Sequence, residues 1–212
     1  MEFIQYLFDL FLHLDKHIAE LIQQYDTLTY IILFAVIFAE TGFVFTPFLP
    51  GDSLLFAAGT LCAVNNSPLN INLLALLLIM AAIVGDNVNY WIGRKFGRKL
   101  FEMNLRILKK EYLDRTYSFY DKHGGKTIIL ARFFPIIRTF SPFVAGIGKM
   151  HYKRFLINDI AGGFLWVGLF SYAGFFFGNF EFVKNNFSFI VIAIILISAL
   201  PAALQVLRHR KK

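Results

Sequence analysis

Apolar residues in this chain gather into blocks of bilayer length, and charged residues recur inside two of those blocks. The blocks cover residues 28–64, 69–92, 127–150, 155–178 and 187–207. A transmembrane helix needs about 20 predominantly apolar residues, whereas a soluble core needs no such runs. Composition agrees: 57% of residues are hydrophobic and only 17% charged, against about 25% charged in an average soluble domain. The expected class is an all-α, polytopic membrane protein.

Several other classes drop out. The formal charge of +7 does not mark a nucleic-acid binder, because the positive residues stand in loops beside apolar blocks. A single cysteine, Cys62, excludes an intramolecular disulfide and a cysteine-built metal site. It lies in the apolar run Leu55–Val64 and reads as a packing residue. His13 and His17 have the i, i+4 spacing that a metal site can use, but no third ligand stands near them. Neither a metal nor a cofactor is expected. No basic segment with an A-x-A site follows the start, so a retained N-terminus is expected.

Residues 1–26 place Phe3, Leu7, Leu10, Leu14, Ile18 and Leu21 on one helical face, opposite Asp9, His13, Lys16, His17 and Glu20. That pattern predicts an amphipathic interfacial helix. Residues 27–207 then form a single membrane domain, followed by a basic cytoplasmic tail at 208–212. The loop at 93–126 carries ten Lys and Arg against four acidic residues, which places it in the cytoplasm. Another cluster, Lys149, Lys153 and Arg154, follows the block 127–150. A block that crossed would strand this cluster outside; a block that enters and returns keeps both clusters inside. Pro135 and Pro142 supply breaks for such a re-entrant hairpin, since each removes a helix hydrogen bond. Pro47, Pro50 and Gly51 do the same for a first hairpin over 28–64. Hairpin 28–64 with span 69–92, and hairpin 127–150 with span 155–178, make two units of one design and opposite orientation. This is an inverted repeat, of the kind transporters build around a midplane site. A last span, 187–207, leads back to the cytoplasmic tail.

Each hairpin carries ionisable residues: Glu40 and Asp52 in the first, Arg132 and Arg138 in the second. Four unpaired charges at bilayer depth would cost on the order of 10 kcal/mol. They must face one another, water or a ligand. Structural salt bridges alone explain little, because buried ion pairs stabilise poorly compared with packed apolar residues. Two planar guanidinium forks suit a phosphate, with Glu40 and Asp52 as competitors for them. Protonating a carboxylate would release its arginine, coupling protons to anion movement. Asp86 and Asp159 read as helix caps or partners of interfacial Lys and Arg, and Trp91 and Trp166 as packing or interfacial anchors. His123 and His151 fall at the cytoplasmic surface, so no enzyme is expected.

These residues sit in strings that resemble a known family. Glu40-Thr-Gly with Pro47-Phe-Leu-Pro-Gly-Asp52-Ser-Leu-Leu is similar to the first signature of the DedA family of bacterial inner-membrane proteins. The stretch from Lys122 through Arg132-Phe-Phe-Pro135-Ile-Ile-Arg138 to Pro142 and Gly146 resembles its second. Gly85-Asp86-Asn-Val-Asn-Tyr90-Trp-Ile-Gly93-Arg94 and the span around Trp166 also look like family features. Ser141 stands where Ala is common in related sequences. The resemblance implies an inner-membrane lipid flippase or scramblase, acting on undecaprenyl phosphate or a phospholipid and supporting envelope homeostasis. It maps the family's acidic pair onto Glu40 and Asp52, and its arginine pair onto Arg132 and Arg138. The partners it implies are phosphate-bearing lipids and protons; oligomeric state stays open. A proton-coupled antiporter for a small ion or drug is the alternative, and a purely structural role is a further one.

Overall fold

The computed structural model describes residues 26–43, 51–64, 67–102, 124–178, 180–186, 189–190 and 193–194. The expected interfacial helix, Pro47, Pro50, most of the last span and the basic tail lie outside the described residues. A 3-10 turn at Asp26–Leu28 leads into α1 (Thr29–Gly42), and α2 (Gly51–Cys62) and α3 (Ile71–Glu102) follow. Beyond them come α4 (Lys126–Ala131), α5 (Pro135–Ile147), α6 (Tyr152–Phe177) and α7 (Glu181–Asn185). No strand occurs among the described residues.

Among the described residues, two helices are long and apolar enough to cross a membrane, α6 and the Ile71–Gly97 part of α3. Their exposed faces show what surrounds them. On α3 the outward positions are Leu73, Leu76, Met80, Val84, Val88 and Trp91, and on α6 they include Ile157, Phe164, Leu165, Leu169 and Phe176. Contiguous apolar faces of this kind are rare on soluble monomers. The inward face of α3 is the one carrying polar groups, with Asp86, Asn89 and Tyr90 buried. This is the pattern of helices whose solvent is lipid.

Sequence and structure differ on two boundaries. Helix α3 runs ten residues beyond the expected span end at 92, through Gly93, Arg94 and Lys95 to Glu102. No proline interrupts this stretch, and cations near a helix C-terminus interact favourably with its dipole. Pro142 was expected as a hairpin break, yet it lies inside α5. The helix tolerates one missing N–H there because the bonds on either side remain, and Gly148 still donates to the Val144 carbonyl. Pro135 does stand at a break: α4 ends at Arg132, Phe134 is extended, and Pro135 opens α5. The residue before a proline is pushed from the α region, and the first helical position needs no N–H. Gly51 is the first residue of α2.

The chain divides into two compact units, one comprising 1–36, 48–78 and 166–212, the other 37–47 and 79–165. In the first unit, α2 is buried at every position except Leu61. It meets α6 through small residues: Gly59 lies against the Ser171 carbonyl, and Gly174 against the carbonyl of Phe56. The Thr60 hydroxyl donates within α2 to Phe56 O (3.1 Å) and lies 3.2 Å from Gly174 O. Lipid tails are as apolar as leucine, so close backbone approach of this sort is a main source of helix association in membranes. Asn70 starts α3 as its N-cap, its Oδ1 accepting from the Asn72 and Leu73 N–H groups at 2.9 and 3.2 Å.

The second unit packs around the inward face of α3. Gly85 lies against Thr41 and Gly42 of α1, Gly93 against Phe143 of α5, and Gly146 of α5 against the Tyr90 carbonyl. Tyr90 stacks on Phe155 at 4.5 Å and donates its hydroxyl to Met150 O at 2.5 Å. Ile128 and Ala145 complete that core.

The glycines of α6 separate packing from flexibility. A methyl group at Gly174 would collide with α2 backbone, whereas nothing lies within 4 Å of one at Gly168. Gly174→Ala should therefore destabilise by about 1–3 kcal/mol. Gly168→Ala should be neutral or stabilising by up to about 1 kcal/mol. Unfolding of both variants in detergent checks this; equal effects would contradict it.

Candidate functional site

Helix α1 buries Leu33 and Ile37 while leaving Ile31 exposed, a stripe of helical period that continues to Glu40. The stripe turns the Glu40 carboxylate inward, where it pairs with Arg138 from the first turns of α5. Both side chains are buried, at 1% and 4% exposure. Arg132, at the C-terminal cap of α4, reaches two carboxylates with one nitrogen: Asp86 of α3 and, at 2.6 Å, Asp159 of α6. Gly162 and Gly163 leave the space beside α6 that the arginine stem and fork occupy.

Asn89 holds the two ion-pair helices together. Its amide donates to the carbonyls of Thr41 at 3.0 Å and Thr139 at 2.7 Å, the residues following Glu40 and Arg138. The i, i+3, i+4 spacing of Asp86, Asn89 and Tyr90 puts all three on the face of α3 that looks into this unit. The described charges here are three carboxylates and two guanidinium groups, one negative charge in excess.

In the other unit, Asp52 stands in the first turn of α2 and accepts a hydrogen bond from the Trp166 indole at 2.8 Å. Trp166 is fully buried. It is a polar partner of Asp52 rather than an interfacial anchor. Trp91, by contrast, is half exposed and lines a groove of about 450 Å³ on α3 with Val84, Val88, Lys95 and Tyr152. None of the five buried charges of this unit lines that groove.

Sequence reasoning named Glu40, Asp52, Arg132 and Arg138 and treated Asp86 and Asp159 as helix-end groups. The structure corrects this: both aspartates are buried partners of Arg132. Asn89, part of the polar string Gly85–Arg94, was given no role of its own. The readable signal was the shared face of Asp86 and Asn89, which matters only if α3 continues well past them.

Comparison with known proteins gives the family. The VTT domain family matches residues 49–176, which include Asp52, Asp86, Arg132, Arg138 and Asp159 but not Glu40. The protein named DedA of Escherichia coli K12 is 52% identical over 212 residues, covering 100% of this chain and 97% of that protein. The chain belongs to the DedA family. Other DedA-family relatives include an uncharacterized membrane protein of Mycobacterium tuberculosis, 44% identical over 82% of this chain and 76% of its own length. The inner membrane protein YqjA of Escherichia coli K12 is 34% identical over 71% of this chain and 68% of its own. No solved structure matches. Family membership and the apolar outward faces of α3 and α6 together make this a helical membrane protein.

Removing one partner of a buried ion pair leaves the other uncompensated, at about 3–5 kcal/mol, whereas replacing both by apolar residues is often neutral. Glu40→Ala should lose that much stability, and the Glu40→Leu, Arg138→Met double variant should recover most of it. A double-mutant cycle of unfolding free energies measures the difference. Additive losses would contradict direct pairing.

Proposed function

We propose that this DedA-family protein moves a phosphate-bearing lipid, undecaprenyl phosphate or a phospholipid, across the bacterial inner membrane. The observation that carries the reading is the placing of two arginines inside an apolar helical protein, each already held by a carboxylate. A guanidinium fork bound to a carboxylate presents the geometry that a phosphate also satisfies. The headgroup would exchange with the carboxylates at Arg132 and Arg138 while the tail stays in the bilayer. Glu40 would couple this exchange to protons, since a protonated Glu40 no longer competes for Arg138, with Asp52, the acceptor of the Trp166 indole, as a second proton-carrying carboxyl. The role is transport and not catalysis.

Helix lengths support the re-entrant topology. At 1.5 Å per residue, α1 with 14 residues spans roughly 21 Å, and α2 with 12 roughly 18 Å. Neither reaches the ~30 Å of a bilayer core. Helices α4 and α5, with 6 and 13 residues, are shorter or similar. Among the described residues, two short helices precede one long helix twice over, α1–α2–α3 and α4–α5–α6. An inverted repeat of hairpin and span would produce this order. With 93–126 cytoplasmic by its charge, the C-terminus is cytoplasmic as well.

Reconstitution into liposomes tests the reading. Undecaprenyl phosphate or a labelled phospholipid should cross faster with the protein than without it, and Arg132→Ala should abolish the difference. Glu40→Gln should flatten the pH dependence of transport. If neither lipid moves with folded protein, and a small cation or drug exchanges for protons instead, the lipid reading fails in favour of an antiporter. Unchanged movement in Arg132→Ala would remove that arginine from the headgroup site.

A further inference from the structure

We propose that Asp86, Asp159 and Arg132 form a proton-binding site, with one proton held between the two aspartates in the folded protein. This goes beyond the reading above, which gives proton coupling to Glu40 and Asp52, and it stands whatever the transported cargo is.

The case rests on charge, burial and geometry. Asp86 and Asp159 are 4% and 0% exposed, and Arg132 3%. Both carboxylates bind the same guanidinium nitrogen, so one positive charge faces two groups that are negative when ionised. With Asp86 Oδ2 and Asp159 Oδ1 on that one nitrogen, the two carboxyls stand side by side. Two carboxylates have only acceptors to offer, so a bond between them requires a proton. The same sharing occurs wherever two carboxyls occupy one site, because like charges at that distance do not both ionise. Asp159 Oδ2 is buried and has no hydrogen-bond partner, which leaves an oxygen on which the proton can sit.

Among the described residues, the neighbouring groups do not supply the missing positive charge. Arg138 of α5 acts on Asp86 through space, but it is paired with Glu40 of α1. Counting that pair with the triad still leaves three carboxylates to two guanidinium groups. Asn89 of α3 faces backbone carbonyls through its amide, and the wall by α6 is Gly162 and Gly163. An unpaired charge buried in such surroundings costs several kcal/mol, and neutralisation by a proton is the usual escape.

The site differs in kind from the Glu40–Arg138 pair. There the pair is one carboxylate with one guanidinium, whose formal charges balance. At the triad the proton can leave only if another positive charge arrives or the helices part. Asp86 comes from α3, Asp159 from α6 and Arg132 from the α4–α5 turn, so gain or loss of the proton bears on the contact among three elements.

Infrared spectroscopy of the full chain in lipid nanodiscs at neutral pH reads the proton directly. The wild type should show the carbonyl stretch of a protonated carboxylic acid, moved by carbon-13 labelling of aspartate. Asp86→Asn and Asp159→Asn should each remove one acid's worth of that band, since each leaves one carboxylate opposite one arginine. Glu40→Gln should leave it in place. A band unchanged in both aspartate variants would overturn the proposal. So would a wild-type spectrum with no label-sensitive acid band, an outcome that needs no variant to fold. Lipid movement does not enter this measurement, so failure of the lipid reading and failure of the proton site are told apart.

Discussion

A guanidinium carried into an apolar helical protein must find a carboxylate or water, because an unpaired buried charge costs several kcal/mol. Much of the unit formed by 37–47 and 79–165 follows from that requirement. Arg138 fixes α5 against the carboxylate end of α1, and Arg132 draws the α4–α5 turn to α3 and α6 at once. The backbone then has to allow the approach. Gly85 lets α1 close on α3, Gly93 and Gly146 let α3 and α5 touch, and Gly162 makes room for the arginine stem. Asn89 spans the carbonyls on either side of the Glu40–Arg138 pair, where a leucine would leave both without their donor.

Packed apolar residues would hold such helices at least as firmly as ion pairs do. The retention of five buried charges is therefore better explained by work than by stability. Under the function proposed above, two of them would offer a guanidinium fork to phosphate, and the surplus carboxylate would offer a place for a proton. The outward faces of α3 and α6 carry only the task of meeting lipid, and they are correspondingly apolar. Function and solvation are thus divided between the two sides of the same helices.

The helical membrane class was legible because apolar runs of bilayer length have few other uses. Glu40, Arg132 and Arg138 were legible as well, being charges inside such runs. Their partners were not. Asp86 looked like a helix-end group while the span was taken to close at 92, only six residues on. The apolar helix window reaches Gly97 and the helix Glu102, which puts Asp86 deep within it. Asp159 was misplaced for a similar reason: seven residues after the start of α6, it is already at the level where the α4–α5 turn enters. Pro142 shows the opposite error. Proline weakens a helix without always ending it, and only packing decides which outcome follows. Pro135 was readable because the first helical position suits proline by local geometry alone.

On the proposed function, the buried arginines serve a phosphate and not merely the helices they join. Exchanging the partners, Glu40→Arg with Arg138→Glu, separates those roles, because it keeps the ion pair but moves the guanidinium from α5 to α1. Lipid movement in proteoliposomes, measured beside the unfolding of the same protein, is the decisive comparison. A headgroup role predicts a folded protein of near wild-type stability that no longer moves lipid. A swapped protein that moves lipid at the wild-type rate would show that the pair only fastens the helices, and would contradict the claim.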